Sequence, residues 1–217
     1  MKGLICVGRR NRTRSLKRAK PYLEPRSRIL IVCEDAKSSP RYFMHIRDKL
    51  RLHPVEVSVC GRECGSAPIN VVDHAIARKI SVKTSPVRDE YDDIFCVIDI
   101  DTHTTLDAAI NKARDHRLSI ILSNPCFEYW YILHFRRTGS AYHASSAVVS
   151  DLKNDFPNYD KGNAEIFEAI YPETDTAIER SREILRSQHH DNEDLRQCNP
   201  STHVHRVVGR LKEVSVM

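Results

Sequence analysis

Four short apolar runs, each separated from the next by a stretch with helical spacing, restrict what this chain can fold into. Ile29-Leu-Ile-Val-Cys33 is continuous, rich in β-branched residues and ends on Glu34. It reads as a strand buried on both faces. Ser38-Ser-Pro40 opens a helix with Pro in its first turn, carried on by Tyr42, Phe43, Ile46 and Leu50. Val55 to Cys60 alternates like a strand, and Ile69, Val72, Ala75, Ile76 and Ile80 mark a second helix. Ile94-Phe-Cys-Val-Ile-Asp99 is a third strand, Thr105 to His116 a third helix, and Leu118 to Ser123 a fourth strand. Strands that alternate with helices in this way predict an α/β fold: a parallel sheet of about four strands flanked by helices. After Asn124 the spacing is mainly helical, with helices predicted over 125–135, 143–155, 162–170, 174–189 and 201–214. Asn124-Pro125 and Asn199-Pro200-Ser-Thr202 read as helix starts. The predicted organisation is a basic arm over 1–27, a core over 28–125, and a helical C-terminal extension over 126–217 that packs on the core and completes its site.

Composition narrows the class further. An apolar fraction of 41% supplies a packed core, and no apolar run approaches the roughly eighteen residues a membrane span requires. The N-terminal apolar stretch, Gly3 to Val7, is too short for a secretory leader, which predicts a cytoplasmic protein with no membrane partner. Seven cysteines cannot all pair, and Cys33, Cys60 and Cys96 sit inside apolar runs, as buried thiols do. Cys60 and Cys64 have a spacing that zinc tolerates, but neither His189-His190 nor His203 with His205 convincingly completes a four-ligand set. Charge is uneven. Residues 1–28 hold ten Lys/Arg and one acid, a net +9 against +5 for the whole chain, so the remainder carries −4. Such an arm favours phosphate backbones through counterion release, or else serves as a solubilising tail. The fifteen aromatics (one Trp, eight Tyr, six Phe) fall mostly at helical core spacing, which gives no exposed stacking platform.

The acids carry the chemistry. In a parallel α/β sheet, ligands bind outside the carboxyl ends of the strands. One strand delivers Glu34 there and another delivers Asp99 and Asp101, which share one side of an extended chain. The fourth strand leads into Ser-Asn-Pro-Cys-Phe-Glu128, which brings a further acid to that edge. Hard oxygen donors suit Mg²⁺ or Mn²⁺, so Glu34, Asp99 and Asp101 are the candidate metal ligands. Plainer roles compete: a surface acid at Glu34, solvated turn acids at 99 and 101, and a first-turn helix acid at Glu128. Asp99-Ile-Asp101-Thr102 is also similar to the nucleophile motif of haloacid dehalogenase-like phosphatases, although that motif usually sits on the first strand.

Taken in order, several blocks resemble the RloB-like family, which includes AbiLii-type abortive-infection proteins and has a TOPRIM-like domain. They are Ile31-Val-Cys-Glu34 with Pro40-Arg-Tyr-Phe43; Val97-Ile-Asp99-Ile-Asp101; Ser123-Asn-Pro-Cys-Phe-Glu-Tyr-Trp130 with His134-Phe135; Tyr159-Asp-Lys161; and Asn199-Pro-Ser-Thr202. The chain differs where the family has Gly, at Asp35, and where it has Thr-Glu, at Ser38-Ser39. The resemblance implies a metal-dependent nuclease-like effector of phage defence that acts on nucleic acid, tRNA included, often beside a co-encoded ATPase. In that scheme Glu34, Asp99, Asp101 and Glu128 form the catalytic acids, and Lys161 steadies charge on the phosphate. The chain has no G-x-x-x-x-G-K loop, so ATP hydrolysis would belong to a partner. A non-catalytic regulatory or binding subunit of such a complex is the alternative, and self-association is open.

Overall fold

The computed structural model describes residues 27–60, 67–84, 90–100, 105–161, 164–188 and 197–216. Asp101, the basic arm up to residue 26, Cys64 and His189-His190 lie outside the described residues. Five strands form one sheet in the order β2-β1-β3-β4-β5. They are β1 (Ile29–Cys33), β2 (Val55–Val59), β3 (Asp93–Asp99), β4 (Ser119–Asn124) and β5 (Ser201–Thr202). The first four run parallel, as the alternation of elements requires, and β5 is antiparallel. The helices are α1 (Ser38–Lys49), α2 (Pro68–Lys83), α3 (Leu106–Asp115), α4 (Glu128–Phe135), α5 (Ser145–Asp155), α6 (Glu165–Ile170), α7 (Thr174–Gln188) and α8 (Val204–Val216).

The two-residue period of a strand divides the core. Ile29, Ile31, Cys33 and Val97 point to the face covered by α1 and the C-terminal helices. Leu30, Val32, Cys96 and Ile98 point to the face covered by α2 and α3. Both faces are packed, which is why β1 reads as an unbroken apolar run. Helix α4 is apolar on every side, and Glu128 to His134 are all buried. The five described cysteines are buried thiols, as the apolar runs around Cys33, Cys60 and Cys96 predict for those three. Among the described residues, no helix is long and apolar enough to cross a membrane.

Three expectations need correction. The sheet gains its fifth strand from the C-terminal part, where Asn199-Pro200-Ser-Thr202 makes an edge strand instead of a helix start. Thr202 shares a hydroxyl hydrogen bond with Ser123 (2.8 Å), and the His203 amide donates to the Leu122 carbonyl (2.8 Å), so α8 begins only at Val204. At the facing position Asn124 ends β4, and α4 starts four residues later. In α2 the buried stripe passes through Val82 rather than Ile80, which is 56% exposed.

Helices α1 and α3 end alike. Arg51 and Arg117 each have φ of 56°, and the amides of Leu52 and Leu118 reach back to Arg47 and Ala113. This is the Schellman arrangement, whose left-handed position favours glycine. Relief of the left-handed strain outweighs the backbone freedom that glycine adds to the unfolded chain. Arg51→Gly and Arg117→Gly should each raise stability by roughly 0.5–1 kcal/mol in denaturant titrations.

Two buried histidines make the fold acid-sensitive. Burial lowers His134 from 6.5 to about 4, and burial together with Arg206 lowers His205 to about 4. The unfolded chain therefore binds more protons between pH 6.5 and 4. Their contribution is complete above pH 6.5 and is lost as pH falls toward 4, at up to about 1.4 kcal/mol per pH unit per histidine. His134→Gln should flatten the fall of the urea midpoint across that window.

Candidate functional site

The site is built at the carboxyl edge, where β1 and β3 end beneath the starts of α1 and α4. Asp99 continues the parity of Phe95 and Val97, so it lies on the α1/α4 side of the sheet. Glu34 follows β1 directly. Its amide donates to the Val97 carbonyl (3.0 Å), and its Oε2 accepts the Asp99 amide (3.0 Å), tying the two strand ends together.

Glu128 enters from above on α4, and its side chain is 1% exposed. Its Oε1 accepts from the Ser38 hydroxyl (2.8 Å) and the Tyr159 hydroxyl (3.1 Å), and Lys161 Nζ lies 3.3 Å away. Its Oε2 is buried without a hydrogen-bond partner. The Tyr131 hydroxyl fixes this corner by donating to the Ser38 carbonyl (3.1 Å). Burial works against the Glu128 anion, but the Lys161 charge and the hydrogen bond from Ser38 outweigh it and hold the carboxyl below its usual range.

Asp99 behaves oppositely. Its surface remains partly open, yet enough protein surrounds the carboxyl that burial pushes it well above the ordinary range. The charges of Glu128, Asp35 and Glu34 push it further up, and Lys161 opposes them. At neutral pH, Glu128 is the anion and Asp99 the acid that resists ionisation. That division marks a place where positive charge is in short supply.

Asp35 has another task. Its carboxylate accepts from the amides of Lys37 (3.0 Å), Ser38 (2.6 Å) and Ser39 (3.2 Å) and from the Ser39 hydroxyl. It therefore satisfies the first donors of α1, where an anion also meets the helix dipole. Lys37, whose amide takes part in this cap, is exposed.

The structure thus brings together four of the five predicted site residues: Glu34, Asp99, Glu128 and Lys161. Asp101 lies outside the described residues. Sequence reasoning missed Ser38 and Tyr159 as Glu128 partners, because hydroxyls 90 and 31 residues away leave no periodic signal. The donors fit a divalent cation in chemistry: all are oxygen, and Glu128 Oε2 is an orphaned buried acceptor. Among the described residues, no three His, Cys, Asp or Glu side chains make a ready cage for a metal ion.

Fold and site together define an α/β protein with a mostly parallel sheet and a cluster of acids at its carboxyl edge. The chain belongs to the RloB-like protein family, whose model matches residues 29–211. No curated protein and no solved structure matches it.

Proposed function

We propose that this chain is a Mg²⁺- or Mn²⁺-dependent phosphodiester hydrolase of TOPRIM type, an AbiLii-like effector of phage defence acting on nucleic acid in the cytoplasm beside a co-encoded ATPase. The observation that carries this reading is the pairing of a carboxyl that resists ionisation, Asp99, with a buried and unpartnered oxygen, Glu128 Oε2. Two such groups at one strand edge are costly unless a cation joins them.

Asp99 and Asp101 would hold the ion, with Glu34 as a further ligand or as the base that takes a proton from water. A bound divalent cation supplies Lewis acidity, polarising the phosphate and orienting the attacking water. Water adds to phosphorus, one P–O ester bond breaks, and the leaving oxygen takes up a proton. Glu128 completes the acidic edge. Lys161 neutralises Glu128 at rest and would offset the extra charge on a pentavalent phosphate.

The test is Mg²⁺-dependent cleavage of tRNA, single-stranded RNA and DNA by the chain, alone and with the ATPase. Glu34→Gln and Asp99→Asn variants that cut as well as wild type would sink the mechanism. A second reading, a non-catalytic regulatory subunit, draws support from Asp35, which is committed to the α1 amides, and from the lack of a three-ligand group among the described residues. Calorimetry separates the two: Mg²⁺ binding that disappears in Asp101→Asn favours the enzyme, and no metal binding favours the subunit.

A further inference from the structure

A cavity of about 560 Å³ opens where the chain leaves β3 and β4, at Ile100 and at Asn124-Pro125. Ile100, the residue after Asp99, and Pro125, three before Glu128, form one wall, and Tyr142, His143, Ser146 and Asn199 line the rest. It shares His143 and Ser146 with a neighbouring hollow of about 510 Å³ along α5. The walls are fixed. Asn199 clamps the Tyr142 backbone from both sides, accepting from its amide (3.1 Å) and donating to its carbonyl (2.6 Å). The Tyr142 hydroxyl donates to Asp151 (2.5 Å), and its ring meets Tyr129 edge-on at 6.2 Å.

The lining chemistry selects the ligand. Among the described residues, no Lys, Arg, Asp or Glu lines the cavity. Among the described residues a phosphate would find no Lys or Arg in this lining, and the Asp151 carboxylate of the adjoining hollow is already paired with Arg136 at 2.7 Å. The lining is instead a phenol ring, an imidazole, hydroxyls and side-chain amides around an apolar wall. That combination suits a flat, neutral, hydrogen-bonding group, as a nucleobase is. We propose that this cavity is a base-binding subsite that holds the nucleoside next to the scissile phosphodiester. The inference rests on the phosphodiesterase reading and adds to it how the substrate is gripped: the acids engage the phosphate, and the cavity engages the base.

The test uses the full chain and two probes. First, neutral ribonucleosides and 2′-deoxyribonucleosides are titrated while the His143 ring resonances are followed, assigned with His143→Gln. At least one nucleoside should bind with a Kd on the order of 1 mM, while ribose and inorganic phosphate leave the signals unmoved. Ser146→Trp, which puts a bulky ring on a residue lining both hollows, should abolish the response, and Ser146→Ala should keep it. A preference between the two sugar series tells RNA from DNA. Second, Mg²⁺-dependent hydrolysis of an oligonucleotide is compared with that of bis(p-nitrophenyl) phosphate, which has no base. Ser146→Trp should raise KM for the oligonucleotide at least about tenfold and leave the base-free diester unchanged. No nucleoside response, a response equal for phosphate, or equal losses on both substrates would overturn the subsite. Nucleoside binding without hydrolysis of either diester would instead retain the subsite and remove the phosphodiesterase reading.

Discussion

Asp99→Asn should lower the proposed metal-dependent phosphodiester cleavage by at least about 100-fold, or about 2.7 kcal/mol of transition-state stabilisation, and should raise the melting temperature in EDTA. The two effects have one origin. Burial and the charges of Glu128, Asp35 and Glu34 oppose the Asp99 carboxylate, so the folded state carries a penalty whenever that group ionises. An amide of the same shape removes the charge that those neighbours oppose. The gain should be roughly 1 kcal/mol, a size common for relieved charge conflicts, or about 2–4 °C for a chain of this length. The sign with pH follows from the raised carboxyl. The penalty is complete above the raised folded-state value and shrinks as pH falls from there to the ordinary carboxyl value of 3.8, so variant and wild type converge in acid. Mg²⁺ reverses the order. At 100 times its Kd, a cation stabilises wild type by about 2.7 kcal/mol and leaves Asp99→Asn little changed. Thermal unfolding of both proteins in EDTA and in Mg²⁺ measures all of this. A variant less stable than wild type in EDTA, yet equally responsive to Mg²⁺, would remove Asp99 from the site.

That conflict was legible in the sequence at the level of position. The β1 and β3 runs end on acids, and a parallel sheet presents strand ends together, so Glu34 and Asp99 meet through topology alone. Glu128 was also legible, because the fourth strand leads through Ser-Asn-Pro-Cys-Phe directly into it at the same edge. The division of protonation between Glu128 and Asp99 was not. It depends on Ser38, Tyr159 and Lys161 arriving from distant turns, and single hydroxyls carry no pattern until the fold places them. Nor was the work of Asp35, since a carboxylate after a strand can serve a ligand or a helix, and only the direction of the α1 amides decides. The two Asn-Pro pairs misled for a related reason. Asn-Pro before an apolar stretch is a good helix start, but Asn124 sits opposite Ser201 across a sheet edge, and a two-residue strand is too short for its alternation to register.

Lys161→Met should both inactivate the protein and destabilise it, by roughly 1–2 kcal/mol at pH 7. Leaving a buried charged partner without its counterpart costs about 1–3 kcal/mol or more. The lower part of that range applies, because the Lys161 side chain is 48% exposed and water replaces part of what it supplies. The cost concentrates on Glu128, which is 1% exposed and keeps only the Ser38 and Tyr159 hydroxyls. In wild type the Glu128 carboxyl is held below its ordinary value, so its contribution to stability is present above pH 4.5 and is lost as pH falls through the folded-state value. Without Lys161, burial drives that carboxyl upward, and the sign inverts: the variant is least stable at neutral pH and recovers as Glu128 is protonated. The gap between variant and wild type should therefore narrow from pH 7 to pH 5. Adding Glu128→Gln to Lys161→Met removes the stranded charge, so the double variant should regain most of the stability and none of the activity. A double-mutant cycle by urea denaturation, run beside cleavage assays, reads both outcomes. If the two substitutions are additive in stability, Lys161 does not neutralise Glu128, and the cation deficit at the sheet edge is larger than the resting ion pair suggests.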